Sequence, residues 1–195
     1  MLKPNNYDSI TTYSEFKNIT VGGHIMVIQS VEETVSKAGN PMLIINLDTA
    51  PDDTQPGYFM ERWKSDTRPK EQKRWGCVVY QLVTDRSGDC HRGLKTFLES
   101  VEASNPGFTV QWGDMFCTSL KSKKVGGIFR REQYENAQGE LKWSTKCFSF
   151  RSVQKILDGV EIPADKYLDG NGKSGNQSFG GFEELDEDSG ELPFN

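Results

Sequence analysis

Two segments of the 195-residue chain interleave aromatic and basic side chains. The first basic segment covers residues 58–75, and the second basic segment covers residues 121–146. Binding a single strand without regard to sequence needs cations that follow the phosphates and flat rings on which bases stack. Each stacked base contributes about 1–3 kcal/mol. The pattern therefore predicts a surface for a single-stranded nucleic acid.

The candidate contacts are the cations and rings of these two segments. In the first they are Arg62, Trp63, Lys64, Lys70, Lys73, Arg74 and Trp75. In the second they are Lys121, Lys123, Lys124, Phe129, Arg130, Arg131, Tyr134, Lys142, Trp143 and Lys146. Trp63 and Trp143 are the preferred stacking rings because basic and polar residues flank them. Trp75 and Trp112 are explained as well by a place in the core.

A β-rich body must position these side chains. Runs rich in β-branched residues predict strands at 24–35, 42–50, 75–84 and 141–153, and residues 115–134 predict a strand pair or one strand bent at Gly126 and Gly127. Residues 51–73 predict a long irregular loop. Leu94, Phe97 and Leu98 begin an apolar series at helical spacing, so a helix is expected between the third and fourth strands.

This order, β-β-β-α-β-β, is that of a five-stranded OB-fold barrel, so the expected fold is mainly β. In such a barrel the loop after the first strand, the loop between strands four and five, and the faces of strands two and three surround the groove that binds a nucleic-acid strand. The predicted hairpin at 130–146 is therefore expected to form one wall of that groove.

Acidic charge is concentrated after this body. Residues 163–195 carry eight acidic side chains and two lysines, whereas residues 1–162 carry 21 Lys and Arg against 20 Asp and Glu. The net charge of −5 and the mean hydropathy of −0.63 therefore describe a polar tail more than the body. We expect a binding domain at 1–162 and a disordered region at 163–195, made of a Gly-rich linker and an acidic tip.

The end of the chain carries the most specific pattern. A Gly, Ser and Asn linker at 173–181 precedes a run of acids and an apolar-Pro-Phe ending, which resembles the C-terminal tip of bacterial single-stranded DNA-binding proteins. That resemblance implies docking of replication, recombination and repair enzymes. The matching residues are Asp186, Glu187, Asp188, Glu191, Leu192, Pro193 and Phe194. Asn195 follows Phe194, a departure that predicts either weaker docking or a different partner.

The body adds a second resemblance. Residues 99–108 and 148–156 are similar to stretches of small phage proteins from recombination or replication gene clusters, and the likeness covers roughly 13–162 and the tail. It implies a phage-encoded protein that coats and protects single-stranded DNA in the cytoplasm of a bacterial host, as a monomer or a homo-oligomer. The tail is either a solubilising extension or a docking tip, and its charge also predicts competition with DNA.

Other functions have weaker support. A nuclease would use acids such as Asp52 and Glu61, but Trp63 stands where that pattern needs a lysine. Zinc binding by Cys77, Cys90 and His91 lacks the usual spacing. We therefore expect no enzyme activity, no cofactor, free thiols and no membrane span. A protein adaptor whose aromatic rings form a protein interface remains the main alternative.

Overall fold

A five-stranded antiparallel sheet forms the centre of the molecule. The computed structural model describes residues 18–168 together with Lys3, Asn5 and Tyr7, so the predicted linker and acidic tip lie outside the described residues. The strands are β1 (Gly22–Val35), β2 (Pro41–Thr49), β3 (Val78–Leu82), β4 (Lys124–Glu135) and β5 (Leu141–Arg151). The prediction of a mainly β fold is confirmed.

The sheet is open rather than closed. Its strand order is β3-β2-β1-β4-β5, which leaves β3 and β5 at the two edges. β1 is the longest strand and pairs with β2 along its C-terminal part and with β4 along its N-terminal part. Within the part of the chain that the structure describes, β3 and β5 do not pair, so the closed barrel of the sequence prediction is not shown.

Both long hairpins end in the same kind of turn. Ser36 N donates to Asn40 O at 2.8 Å between β1 and β2, and Asn136 N donates to Glu140 O at 3.0 Å between β4 and β5. Gly39 and Gly139 have φ values of 81° and 77°, a left-handed conformation that glycine adopts without steric cost. These turns set the register of the two hairpins.

Short helices and turns pack around the sheet. They are α1 (Tyr58–Ser65), α2 (Arg92–Ser104), α3 (Phe116–Leu120) and α4 (Val153–Leu157), with 3-10 turns at Lys70–Gln72 and Gly113–Met115. The predicted helix is confirmed as α2, where His91 Nδ1 accepts a hydrogen bond from Gly93 N and caps the first turn. None of the helices among the described residues has the length and apolarity that crossing a bilayer requires.

The hydrophobic core lies between the sheet and α2. Phe97 of α2 packs against Phe150 of β5 with ring centroids 4.8 Å apart. Met26 and Leu47 come from the central strands and are fully buried. Burying each such side chain contributes about 1.5–3 kcal/mol relative to exposure. The core contacts therefore anchor β4 and β5 at the ends that lie away from their connecting turn.

The irregular loop predicted at 51–73 is wrong at Tyr58–Ser65, where α1 forms, and at Lys70–Gln72, where a 3-10 turn forms. Gly57 stands at the N-cap position of α1 and has no side chain with which to cap the helix. Caps come instead from the end of β2, where Asp48 Oδ1 accepts from Phe59 N at 2.9 Å and Thr49 Oγ1 accepts from Tyr58 N at 2.8 Å. The signal that starts α1 therefore lies about ten residues upstream in the sequence.

The predictions for two other strands also need correction. Residues 115–120 are helical rather than extended, and β3 begins at Val78 instead of Trp75. The sheet pairing passes straight through Gly126 and Gly127, and the irregularity falls one residue later, between Ile128 and Phe129. A Cβ at Gly126 would lie 2.3 Å from Ile156 Cγ1 of α4. The glycine therefore allows α4 to approach the sheet.

Candidate nucleic-acid interface

The β4–β5 hairpin, residues 130–146, extends beyond the end of β1. The pairing between β1 and β4 stops at Gly22 and Phe129, whereas the pairing between β4 and β5 continues to Glu135 and Leu141. Six residues of β4 therefore project past the central strand. The hairpin as a whole carries six of the ten candidate contacts of the second basic segment, namely Arg130, Arg131, Tyr134, Lys142, Trp143 and Lys146.

The two faces of this hairpin carry different side chains. Directly paired residues share a face, and the face alternates along each strand. Phe129 points into the core, so Trp143, which pairs with Gln133, lies on the same side of the hairpin. Tyr134 pairs with Lys142 on the opposite side, where Arg130 also lies. Both faces therefore present a ring with basic neighbours.

The cations of the hairpin are held in place by rings and carboxylates. Arg130 lies over the ring of Phe148, 4.1 Å from its centroid, and its Nε donates to Glu132 at 2.8 Å. Lys142 Nζ lies 3.1 Å from the Glu140 carboxylate. A phosphate would have to compete with these carboxylates. The Lys142–Glu140 pair is exposed, so its attraction is weak and Lys142 remains available to an anionic ligand. Arg130 and Glu132, by contrast, are mostly covered.

Trp143 occupies a structured position on its face. The guanidinium of Arg131 lies 5.4 Å from the Trp143 ring centroid, and Tyr167 meets the same ring edge to face at 5.1 Å. The residue remains 39% exposed. A base could therefore stack on Trp143 while the arginine contacts the adjoining phosphate.

Residues 163–168 form a C-terminal arm that runs beside the projecting part of β4. Lys166 N donates to Arg131 O at 2.9 Å, and Lys166 O accepts from Gln133 N at 2.8 Å, so the arm adds one parallel bridge to the strand. Asp165 pairs with Arg131, whose pKa is raised by that carboxylate. Burial lowers the pKa of Lys166. The arm takes the place that β1 leaves empty.

The first basic segment places its preferred ring on α1. Lys73 Nζ lies 4.8 Å from the Trp63 ring centroid and donates to Trp63 O at 3.2 Å, so the helix and the following turn are joined by this pair. Arg62 donates to Tyr58 Oη at 3.1 Å. Trp63 is half-buried, while the remaining candidate cations of the segment, Lys64, Lys70 and Arg74, are exposed.

Two of the predicted rings, Phe129 and Trp75, lie in the core or pack against it. Phe129 has no exposed surface and stacks on Phe59 in the core at 6.3 Å, so its prediction as a nucleic-acid contact is wrong. Trp75 packs against the core and donates from Nε1 to Leu47 O at 2.7 Å. The indole of Trp75 therefore anchors the start of the β3 region. The irregularity before Phe129 sets the orientation of that ring, and Trp75 lies outside β3, so strand alternation predicted neither position.

The lysines between α3 and β4 are divided among different contacts. Lys123 lies over the Phe108 ring at 4.5 Å, and Lys124 pairs with Asp52 at 2.7 Å. Lys121 is exposed in the turn that follows α3. These residues lie at the base of β4, several residues from the projecting hairpin. The structure therefore groups the hairpin residues closely and places Lys121 and Lys123 apart from them.

Sequence reasoning missed three participants in this arrangement. Phe148 and Tyr167 supply rings to Arg130 and Trp143, and Asp165 supplies a carboxylate to Arg131. Asp165 and Tyr167 are 34 and 24 residues from their partners along the chain, so local patterns could not pair them. Phe148 was visible as an aromatic residue in β5, but only the strand register brings it beneath Arg130.

The residues considered for metal chemistry are also placed. Asp52 pairs with Lys124, and Glu61 lies on the exposed side of α1. Cys77 is buried while Cys90 is exposed, and burial raises the pKa of Cys77 well above its usual range. Among the described residues, no group of three or more His, Cys, Asp or Glu side chains is arranged to hold a metal ion.

Comparison of the sequence with protein-family models finds no match, and comparison with curated proteins finds no significant match.

Proposed function

We propose that this chain binds single-stranded DNA without regard to base sequence, using the β4–β5 hairpin together with α1. The observation that carries the proposal is the hairpin itself. It projects beyond β1 and presents Trp143 and Tyr134 on its two faces with cations beside each ring. Stacking and phosphate attraction are the two interactions that sequence-independent binding of a single strand requires.

The proposal includes an OB-type barrel as the scaffold. The order β3-β2-β1-β4-β5, with α2 between β3 and β4, supports it because these are the strand neighbours of that fold. OB folds bind oligonucleotides on the face of strands two and three and on the loops that follow strands one and four. Tyr80 of β3 is exposed opposite Ile44 of β2 and adds a ring to that face.

A cellular role follows from this activity. We propose that the protein coats and protects single-stranded DNA during replication, recombination or repair, in a phage-infected or uninfected bacterial cell. The residues at 186–194 would then recruit partner enzymes to the coated strand. The acidic residues of that tip favour partners with basic docking sites.

A salt-dependent titration of oligo(dT) tests the proposal. We expect the strand to quench tryptophan fluorescence, and we expect the logarithm of the affinity to fall with the logarithm of salt by about 0.7 for each phosphate neutralised. A mixed-sequence oligonucleotide should bind with similar affinity, and both strands should be recovered intact after incubation with Mg²⁺ or Mn²⁺. Absence of quenching and of salt dependence would favour a protein adaptor instead.

A further inference from the structure

A second surface lies at the turn end of the β1–β2 hairpin. It is a groove of about 630 Å³ between that hairpin and the turn that leads into α3. Leu43, Leu94 and Phe116 line its floor, and all three are buried core residues. We call it the Trp112 groove, because Trp112 forms its most exposed wall.

The Trp112 ring is supported by a neighbouring ring but remains exposed to solvent. Its ring stacks on Phe116 with centroids 5.2 Å apart and an interplanar angle of 16°, while 69% of the residue remains exposed. Met115 beside it is also largely exposed. An exposed tryptophan supported by a second ring is typical of binding surfaces, where such residues contribute most of the affinity.

The charge around the groove is negative. Glu33 lines it from β1 and Asp114 lines it from the 3-10 turn, and none of its lining residues is a lysine, arginine or histidine. The thiol of Cys117 lies in the same groove, where burial and the nearby carboxylates of Glu33 and Glu32 raise its pKa. The groove therefore repels phosphates, and it equally repels the acidic tip of this chain.

The groove shares no lining residue with the proposed DNA-binding surface. Glu33 pairs with Leu43 and lies on the core side of the hairpin, on which α3 packs. Ile44 pairs with Tyr80 on the opposite side of the same strands. Tyr80 and Ile44 are not among the residues that line the groove, so a ligand bound there would leave them uncovered.

We propose that the Trp112 groove docks a segment of a partner protein in which apolar side chains are flanked by lysines or arginines. The apolar floor and the Trp112 ring receive the apolar side chains, and Glu33 and Asp114 attract the flanking cations. This proposal does not depend on DNA binding, since none of the residues that line the groove belongs to the β4–β5 hairpin or to α1.

Two synthetic peptides with the same Leu-Phe-Leu core test the proposal, one flanked by lysines and the other by glutamates. Fluorescence anisotropy of the labelled peptides measures binding to the full chain. The lysine peptide should bind more tightly, and Trp112→Ala should weaken it at least about tenfold, as expected of a central interface aromatic. Asp114→Lys should weaken the lysine peptide and strengthen the glutamate peptide.

Leu157→Ala is the matched control, because Leu157 is 65% exposed on α4 and lies outside the groove. It should leave peptide binding unchanged. Circular dichroism and oligo(dT) affinity of all three variants show that each still folds. Lysine-peptide binding that survives Trp112→Ala would place the peptide on the acidic tail and overturn the proposal. Equal binding of both peptides, or a change of oligomeric state in Trp112→Ala, would also overturn it.

Discussion

Trp143 is the residue on which DNA binding should depend most. Its ring is exposed between Arg131 and Tyr167 on the projecting hairpin. Trp143→Ala should weaken the binding of oligo(dT) by about 1–3 kcal/mol, the contribution of one stacked base. Trp143→Phe should retain much of the affinity because it keeps a flat ring. Fluorescence anisotropy of a labelled oligonucleotide measures both changes.

Trp112→Ala serves as the control for that substitution. It also removes an exposed tryptophan, but one that lies in the acidic groove. Its oligo(dT) affinity should equal that of the unmodified chain. An equal loss in both variants would mean that the rings act through general stability and that Trp143 is no stacking site.

Asp53 has a structural role at the residue scale. Its Oδ2 lies 2.9 Å from His24 Nδ1, and both side chains are almost fully buried, at 3% and 1% exposed. Burial alone would raise the pKa of Asp53, but hydrogen bonds from His24 and from the backbone N–H groups of Gln55 and Ile25 outweigh it and lower the pKa. The carboxylate therefore ties the loop after β2 to β1.

Asp53→Asn should lower the free energy of unfolding by about 1–3 kcal/mol at neutral pH, because the amide has one acceptor oxygen and its NH2 group would face a buried donor that the carboxylate now accepts from. A lowered folded-state pKa gives stability that is complete above the unfolded value of about 4 and is lost as the pH falls through the folded value. The difference between the two proteins should therefore shrink in acid. Urea unfolding at several pH values measures it.

Asp52→Asn is the neighbouring control. Its exposed pair with Lys124 should contribute no more than about 1 kcal/mol. Asp48 acts in the opposite direction in acid, because burial raises its pKa. The comparison between variants removes that shared contribution. A difference between Asp53→Asn and the unmodified chain that persists unchanged at low pH would contradict the assignment.

At the scale of elements, α4 packs closely against glycines of β1 and β4. Beside the close approach at Gly126, a Cβ at Gly23 of β1 would lie 2.9 Å from Ile156 Cγ2 and from Val160 Cγ2. Gly126→Ala should destabilise the protein by about 1–3 kcal/mol, the usual cost of overpacking a close contact. Thermal unfolding measures the loss. Ile156→Ala in the same chain should recover only part of it, because the backbone oxygens of Arg151 and Ser152 also lie within 3.0 Å.

Elements with local signals were the ones that the sequence could predict. The β1–β2 hairpin and α2 follow from alternation, turn residues and a helical apolar series within one short window. α1 was missed because its capping groups belong to Asp48 and Thr49 at the end of β2. α3 was missed because a helix of five residues is too short to show a helical period.

The residues of the candidate site divide in the same way, into those that local sequence identified and those that depend on distant contacts. The cations and rings of the hairpin were identified because they are close in sequence, and pairing in β4 and β5 keeps them together. Phe129 could not be assigned to the core, since its orientation depends on the irregularity just before it. The C-terminal arm contacts a strand more than 30 residues upstream. Contacts of that separation leave no trace in local composition.

At the scale of the whole molecule, positive and negative charge occupy different regions. Residues 1–162 are nearly neutral in sum but present local basic surfaces, whereas residues 163–195 have a net charge of −6. The arm at 163–168 lies against the hairpin, so the acidic region begins beside the proposed binding surface. Its charge can therefore compete with a nucleic-acid strand for the same cations.

Deleting residues 171–195 should leave oligo(dT) binding intact and tighten it several-fold at low salt, because a competing polyanion is removed. A full-length chain in which the acids at 183–191 are replaced by their amides is the matched control, and it should behave like the truncated chain. The gain should fade as salt shortens the range of the electrostatic attraction. Affinity lost on truncation, or an amide variant that behaves like the unmodified chain, would show that the tail acts by contact rather than by charge.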